Sequence, residues 1–370
     1  MVPTAPHCRV GHGIPERMGI FVVDKPLSLT SHDVVNRARK QLHTRRVGHA
    51  GTLDPLATGV LVVLSDAATK LSPFLTASHK DYLAWVSFGA STATLDAEPP
   101  VLARADASAL TAADIQGALE SFLELREQVP PQYSAIKKAG KRSYDAAREG
   151  KQVLLEPRAV RYFETKLLAW NTHSALPRYV QYQQAQSGGQ QENWQVLEAD
   201  AMATANEVTP PVMTPPVTTP PVTTPPVMTL DTSTHLPEPL ADLPTALIWL
   251  RVQAGTYVRA MARDLGDALS VPAHLSGLVR TRAGHCHLSQ ACAISDLDTQ
   301  PSLRARDVLS YPKQVLSDED IHRIRQGQRL PLHLDQRTAF IDQDGHLVAV
   351  AETEPDSGRM SLLRVWHEVL

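Results

Sequence analysis

VGHAGTLDPLATG, residues 47–59, sets one carboxylate, Asp54, and one imidazole, His49, in a run otherwise made of small, apolar or turn-forming residues. Pro55 follows the acid, and Gly51 and Gly59 flank it, so turn chemistry and helix breaking shape the backbone on both sides. Upstream, GIFVVDKP reads as a strand stopped by Pro26, after which Ser31 can N-cap a helix through DVVNRARKQL. Downstream, GVLVVLS, residues 59–65, reads as a buried strand. The quoted run is therefore a loop between a helix and a strand, where scaffolds commonly display chemistry. Asp54 has two readings that do not exclude each other: the cap of a short helical turn, DPLAT, or a reactive carboxylate.

Further out, the pattern stays mixed α and β. KDYLAWVSFGAS is a strand, and Thr111 with Asp114 makes a capping-box start for a helix through AADIQGALESFL. After a VPP turn, YSAIKKAGK looks extended and SYDAAREG helical, with Gly150 as its C-cap. RAVRYFETKLLAW and TALIWLRVQ are strands. Val258, Met261, Leu265 and Leu269 fall at helical spacing, giving VRAMARDLGDALS one apolar face.

Between the last two strands, PPVMTPPVTTPPVTTPPVMT (210–229) repeats a five-residue unit that carries a large share of the chain's 28 prolines. A unit with one valine cannot stack into a core, and proline pairs favour an extended, solvated arm. With the Gln-rich QYQQAQSGGQQ upstream, residues 174–243 read as an insertion. From residue 313 the texture changes to short strand-like pieces around a DQDG turn, a small, mostly β module.

The net charge of −3 gives no global pull toward a polyanion, so any such partner must be met by local patches. No secretory signal or membrane-length apolar run is present, and three cysteines are too few for a disulfide scaffold, which points to the cytoplasm. His285, Cys286, His287 and Cys292 lack a second CxxC-type half and read as strand and turn residues rather than a metal site. Two acid-free basic runs stand out: RARKQLHTRR with Arg45 and Arg46, and KKAGKR with Lys137 and Lys141, near Tyr133 and Tyr144. Such runs are either solvated faces or the footprint of RNA binding. GTYVRAMARDLG places Tyr257 and Arg259 at a strand-to-helix junction, where the arginine is either a surface ion-pair partner or the counter-charge of a buried carboxylate.

VGHAGTLDPLATGVLVVLSDAATK resembles the catalytic motif of the bacterial tRNA pseudouridine-55 synthases, the TruB family. The resemblance extends through FVVDKPLSLTSHDVVNRARK, KDYLAWVSFGASTATLDAE, QVPPQYSAIKKAGKRSYDAAREG, GTYVRAMARDLGDAL and AHLSGLVRTRAGH, in family order over about residues 19–290. Two departures are the proline-rich insertion and Ala50, where the family more often has Thr.

The resemblance implies an α+β pseudouridine synthase fold: a mixed, largely antiparallel sheet with a central RNA-binding cleft (residues 1–312), then a small PUA-like β domain (313–370). It implies isomerisation of uridine 55 in the T-arm of tRNA, with the base flipped into the pocket, and a reaction that requires no cofactor and no metal. It assigns Asp54 to the chemistry, as nucleophile at C1′ or C6 or as base at C2′, with Arg259 holding it charged. It sets Tyr82 against the flipped base, His49 in the gap left in the RNA stack, Leu278 in the pocket lining and Tyr257 in support of Arg259. Arg45, Arg46, Lys137 and Lys141 would meet phosphates. Nothing demands more than a monomer. The rival readings are a guide-RNA-dependent synthase that needs partner proteins, a noncatalytic RNA-binding protein on the same scaffold, and a structural protein built around the repeat.

Overall fold

The computed structural model describes residues 18–133, 137–138, 141–142, 155–172, 179–184, 192–196, 228–231, 236–237 and 240–370. The proline repeat, except its last two residues, and the SYDAAREG helix with Gly150 lie outside them.

The main body is an eight-stranded sheet. Its strands are β1 (Gly19–Lys25), β2 (Val47–His49), β3 (Ala57–Ser65), β4 (Lys80–Phe88), β5 (Tyr162–Asn171), β6 (Thr245–Val252), β7 (Ala273–Ala283) and β8 (Cys286–His287). The spatial order is β1-β3-β7-β4-β6-β5, with β2 beside β3 and β8 beside β7. All pairings are antiparallel except β3 with β7, where Ala57, Thr58 and Gly59 lie opposite Leu278, Val279 and Arg280. The last long strand of this body thus sits between two of the first.

Near-continuous apolar runs mark a sheet covered on both faces. Alternate residues go to opposite cores: Phe21, Val23, Leu61, Val63, Tyr82 and Ala84 to one, Ile20, Val22, Val60, Val62, Leu83 and Trp85 to the other. Helices α1 (Ser31–Gln41), α2 (Ala112–Ser121) and α3 (Val258–Ala268) cover the first face. In α3, Val258, Met261 and Leu265 are buried and Leu269 packs beside them, as the spacing predicts. Helix α2 starts with the expected Thr111/Asp114 capping box. Helix α1 corrects the expected cap: Thr30, not Ser31, closes the box with Asp33. Ser31 is buried one residue inside the helix and its hydroxyl is used elsewhere.

The second face is covered by the segment Asp66–Thr76 and by the C-terminal residues. There β9 (Lys313–Val315), α4 (Asp318–Arg325), β10 (Thr338–Ile341), β11 (Leu347–Thr353) and β12 (Met360–Val365) form a four-stranded sheet in the order β9-β10-β11-β12. Trp366, fully buried, donates its Nε1–H to the Ala67 carbonyl at 3.2 Å. Arg337 lies over the rings of Phe74 and Tyr311 while pairing with Glu352.

The insertion holds a three-stranded antiparallel sheet, with Tyr179–Gln184 between Glu192–Val196 and Met228–Asp231. Before it reaches β6 the chain has rejoined the core, since Leu240 is fully buried.

A carboxylate and arginine centre on a braced loop

The loop between β2 and β3 is held at each carbonyl from Gly51 to Pro55. Arg280 donates from Nη2 to Gly51 (3.0 Å) and from Nη1 to Thr52 (3.3 Å), and Ser31 Oγ donates to Leu53 (3.0 Å). The Ala57 N–H bonds the Asp54 carbonyl (3.0 Å), and the Ser28 N–H bonds that of Pro55 (2.9 Å). Ser31 Oγ also accepts the Leu53 N–H at 2.8 Å. Fixed carbonyls leave the loop little freedom to reorient its side chains.

Glycine is needed twice in the frame. Gly51 has φ +97°, and Gly59 has φ +92° with the Arg280 carbonyl 2.4 Å from where a Cβ would stand. The helical-turn reading of DPLAT is not what forms: Asp54 opens a β-turn closed by Ala57, and β3 begins at Ala57. Pro55 at the second position suits such a turn.

The Asp54 side chain, 40% exposed, meets a buried guanidinium: its Oδ2 lies 2.9 Å from Arg259 Nε. The approach lies off the Nε–H direction, so it is a close charge contact rather than an aligned hydrogen bond. Arg259 spends its other nitrogens elsewhere, with Nη1 on the Thr94 carbonyl and Nη2 on that of Tyr133, both at 3.0 Å. Asp96 stands 3.7 Å from Nη1. Arg259 therefore meets Asp54 by a single contact, with its fork anchored on backbone. Burial raises the Asp96 carboxyl, opposed by its bond from Thr94 and by Arg259.

Arg259 is presented by the first turn of α3, with Tyr257 at the N-cap position. The Tyr257 N–H donates to Gln128 Oε1 at 3.0 Å, and Gln128 Nε2 in turn bonds the Tyr162 hydroxyl. Tyr82 on β4 and Leu278 on β7 are each 8% exposed and share the first-face core with Leu53 and Val258; Leu278 lies opposite Ala57 at the end of the Asp54 turn, and Tyr82 opposite Arg280.

His49, at the end of β2, is half-buried. Burial first, then the nearby Arg280 and His32, lowers its pKa, leaving a neutral flat ring at neutral pH. Its carbonyl accepts the Ser72 hydroxyl at 3.0 Å. Arg45 and Arg46 are exposed beside it. Lys137 and Lys141 lie in a two-residue antiparallel pairing, opposite Arg142 and Lys138.

Three residues escaped the sequence reading. Arg280, 1% exposed, also bonds the Val60 carbonyl at 2.7 Å; the only hint was an arginine inside an apolar strand run. Asp96 follows KDYLAWVSFGASTATL without a turn signal of its own. Lys25, whose Nζ bonds the Pro26 and Leu29 carbonyls, is pushed down to about 8 by burial, with Asp54 pulling the other way.

His285, Cys286, His287 and Cys292 do not converge as ligands: Cys286 is buried in β8, its thiol pushed up to about 12, and Cys292 hydrogen-bonds along β1. Among the described residues, Asp342, Asp344 and His346 are the group close enough to share a metal. Asp342 there already accepts from the Asp344 and His346 amides and pairs with the imidazole, which accounts for the turn without an ion.

Comparison with known proteins matches residues 39–189 to the TruB family pseudouridylate synthase (N terminal domain). A tRNA pseudouridine synthase B of Thermus thermophilus is 44% identical, covering 94% of this chain and 99% of that one. The protein of the same description from Deinococcus radiodurans is 41% identical over 94% of this chain and 100% of its own, and that of Mycobacterium tuberculosis 35% over 91% and 92%. Among solved structures, a chain of a Cbf5-Nop10-Gar1 complex superposes with a TM-score of 0.59 at 19% identity, over 94% of this chain and 84% of that one, a likeness of fold.

Proposed function

The chain belongs to the TruB family of pseudouridylate synthases, and from that premise we propose that Asp54 is the carboxylate that opens the glycosidic bond. The protein is an enzyme that isomerises uridine 55 of tRNA to pseudouridine, on a pseudouridine synthase fold. The N1–C1′ bond breaks, the uracil turns, C1′ joins C5, and a proton leaves C5 while N1 gains one. No electron is transferred overall.

Attack at C1′ or C6 and removal of the C2′ proton make the same demand on the protein: an ionised carboxylate, oriented and open to substrate. One observation carries the assignment to Asp54. It is a half-exposed acid on a loop with every neighbouring carbonyl held, touching a buried arginine whose other nitrogens are committed to backbone. The flipped uracil lies against Tyr82 and Leu278, and the neutral ring of His49 fills the space it leaves in the RNA stack. Tyr257 fixes the start of α3 and with it Arg259.

Arg45, Arg46, Lys137 and Lys141 meet phosphates of the T-arm, which is recognised mainly by shape. Residues 313–370 act as a PUA-like RNA-binding module on a catalytic domain of 1–312. The enzyme works as a monomer without a guide RNA. The higher identity to proteins described as tRNA pseudouridine synthase B than to the Cbf5 complexes supports the guide-free reading. None of the described helices is long and apolar enough to cross a membrane, and the enzyme acts in the cytoplasm.

The test is release of tritium to water from an unmodified tRNA transcript labelled at uracil C5, without guide RNA. Wild-type protein is expected to release label and Asp54→Asn to release none. A folded wild type that binds the transcript and releases no label would return the chain to the noncatalytic reading. Binding to a T-arm hairpin should weaken as salt rises, and a salt-indifferent affinity would remove the phosphate contacts from the account.

A further inference from the structure

The part of the insertion that returns to β6 does more than close a loop. Leu240 is fully buried in a small apolar cluster with Ala90 and Ala97, and Leu236, Leu243, Val101 and Leu56 pack against it. Two of these residues belong to the centre. Leu56 lies in the Asp54 turn and packs against the main core as well, and Ala97 follows Asp96. The two acids flank Arg259, one at Nε and one at Nη1.

The limb is itself anchored at its far end. The Phe88 N–H donates to the Pro244 carbonyl at 2.8 Å, and Thr245 Oγ1 to that of Leu243 at 2.8 Å. The Leu240 N–H closes a turn on Pro237 at 2.7 Å. With alanine at the cluster's other two buried positions, Leu240 supplies its one large fully buried side chain among the described residues. A clamp fixed to the ends of β4 and β6 therefore presses on both acid-bearing segments through one leucine.

We infer that Leu236, Leu240 and Leu243 form an apolar clamp that sets the separation of the Asp54 and Asp96 segments about Arg259, with Leu240 as a positioning residue for the reaction. The inference rests on the assignment of Asp54 as the reacting carboxylate. The insertion is then divided in function: its return limb is a wall of the active centre.

The experiment uses the full chain and compares Leu240→Ala, Leu240→Val and Leu240→Met with Ile115→Ala, an equally buried apolar residue on α2, a helix that carries neither acid. Steady-state tritium release should show kcat falling about tenfold or more in Leu240→Ala with KM for tRNA little changed, since small displacements of a reacting group cost rate rather than binding. Leu240→Val should lie between, and Leu240→Met, which keeps the volume, should regain most of the rate. Ile115→Ala should lose stability while keeping kcat within about twofold.

Hydrogen exchange of the Ala57 amide, bonded to the Asp54 carbonyl, reads the clamp independently of turnover and should quicken about tenfold in Leu240→Ala only. Unchanged kcat and unchanged exchange in Leu240→Ala, or equal losses in Ile115→Ala, would overturn the clamp. If Leu240→Ala does not fold, the Leu240→Val and Leu240→Met pair decides by the same two readouts. A wild type that releases no label refutes the assigned reaction instead, and the exchange data still decide the clamp.

Discussion

Asp54 and Asp81 each meet an arginine, and the two pairs are built differently. Asp81 on β4 is fully buried, with Oδ1 3.0 Å from Arg251 Nε, Oδ2 2.9 Å from Arg251 Nη2 and Arg282 Nε at 3.4 Å. Arg251 reaches on to Glu164 and lies over Trp249. Both oxygens of Asp81 are taken, and the group fixes β4 against β6 and β7, where these residues are cross-strand partners. Asp54 offers one oxygen to one nitrogen and keeps the other open among the described residues. Arg251 is held by side-chain partners, whereas both Nη atoms of Arg259 are held by backbone carbonyls. An arginine tied to backbone holds its place without help from the acid, so it can touch Asp54 without taking both of its oxygens.

The sharpest break in that comparison is to remove each charge. Asp54→Asn should lower the rate by about 10⁴-fold or more with the melting transition kept, measured by single-turnover tritium release and a thermal scan. Arg259→Lys comes next. A lysine can approach Asp54 but cannot hold the carbonyls of Thr94 and Tyr133 at the same time, and kcat should fall by about 10²-fold with folding intact. Near wild-type activity in Arg259→Lys would mean that charge alone, and not the backbone anchorage, is what Asp54 requires.

Asp81→Asn should invert the pattern. Breaking a buried pair costs about 3–5 kcal/mol, so the denaturation midpoint should drop substantially while the rate of the folded fraction stays within about twofold. A loss of rate without loss of stability would show that the back of the sheet acts on the reaction.

The smallest effect comes from a cation with neither kind of acid. Lys80 is buried with Nζ on the carbonyls of Thr76 and Ser78, and burial, reinforced by Arg280, pushes it from 10.5 down to about 7. Between those values the unfolded chain holds a proton that the folded chain has released. This group's contribution to stability therefore rises as pH climbs from about 7 towards 10.5. Lys80→Met should flatten that rise, leaving the later one that starts near 8 from Lys25, as read from urea midpoints at about pH 7 and about pH 9.

The sequence carried the parts of this picture that are local. The loop around Asp54, the apolar stripe of α3 and the Thr111/Asp114 cap are all written in residues a few positions apart. The neighbour choice at α1 shows the limit of that reading: Thr30 and Ser31 are equally good caps, and what decides is that Ser31 reaches Leu53, 22 positions away. Asp96 and the anchors of Arg259 were illegible for a related reason. The acceptors are main-chain carbonyls 165 and 126 positions distant, and a carbonyl has no letter in a sequence. Arg280 stayed hidden because its partners are also carbonyls. The expected DPLAT helical turn failed because the apolar pull of β3 starts at Ala57, leaving too few residues for a helix.

The place of β7 has a consequence for how the protein is made. Strands β3 and β4 are joined by a strand that leaves the ribosome much later, and Arg280, which braces the Asp54 loop, bonds the Val60 carbonyl across 220 positions. At about 5–20 residues per second, the interval between Phe88 and Ala273 is on the order of 10 to 40 s. For most of that interval the edge of β3 that receives β7 and both edges of β4 stand unpaired, since β6 is also made late, and the Asp54 loop lacks its Arg280 brace.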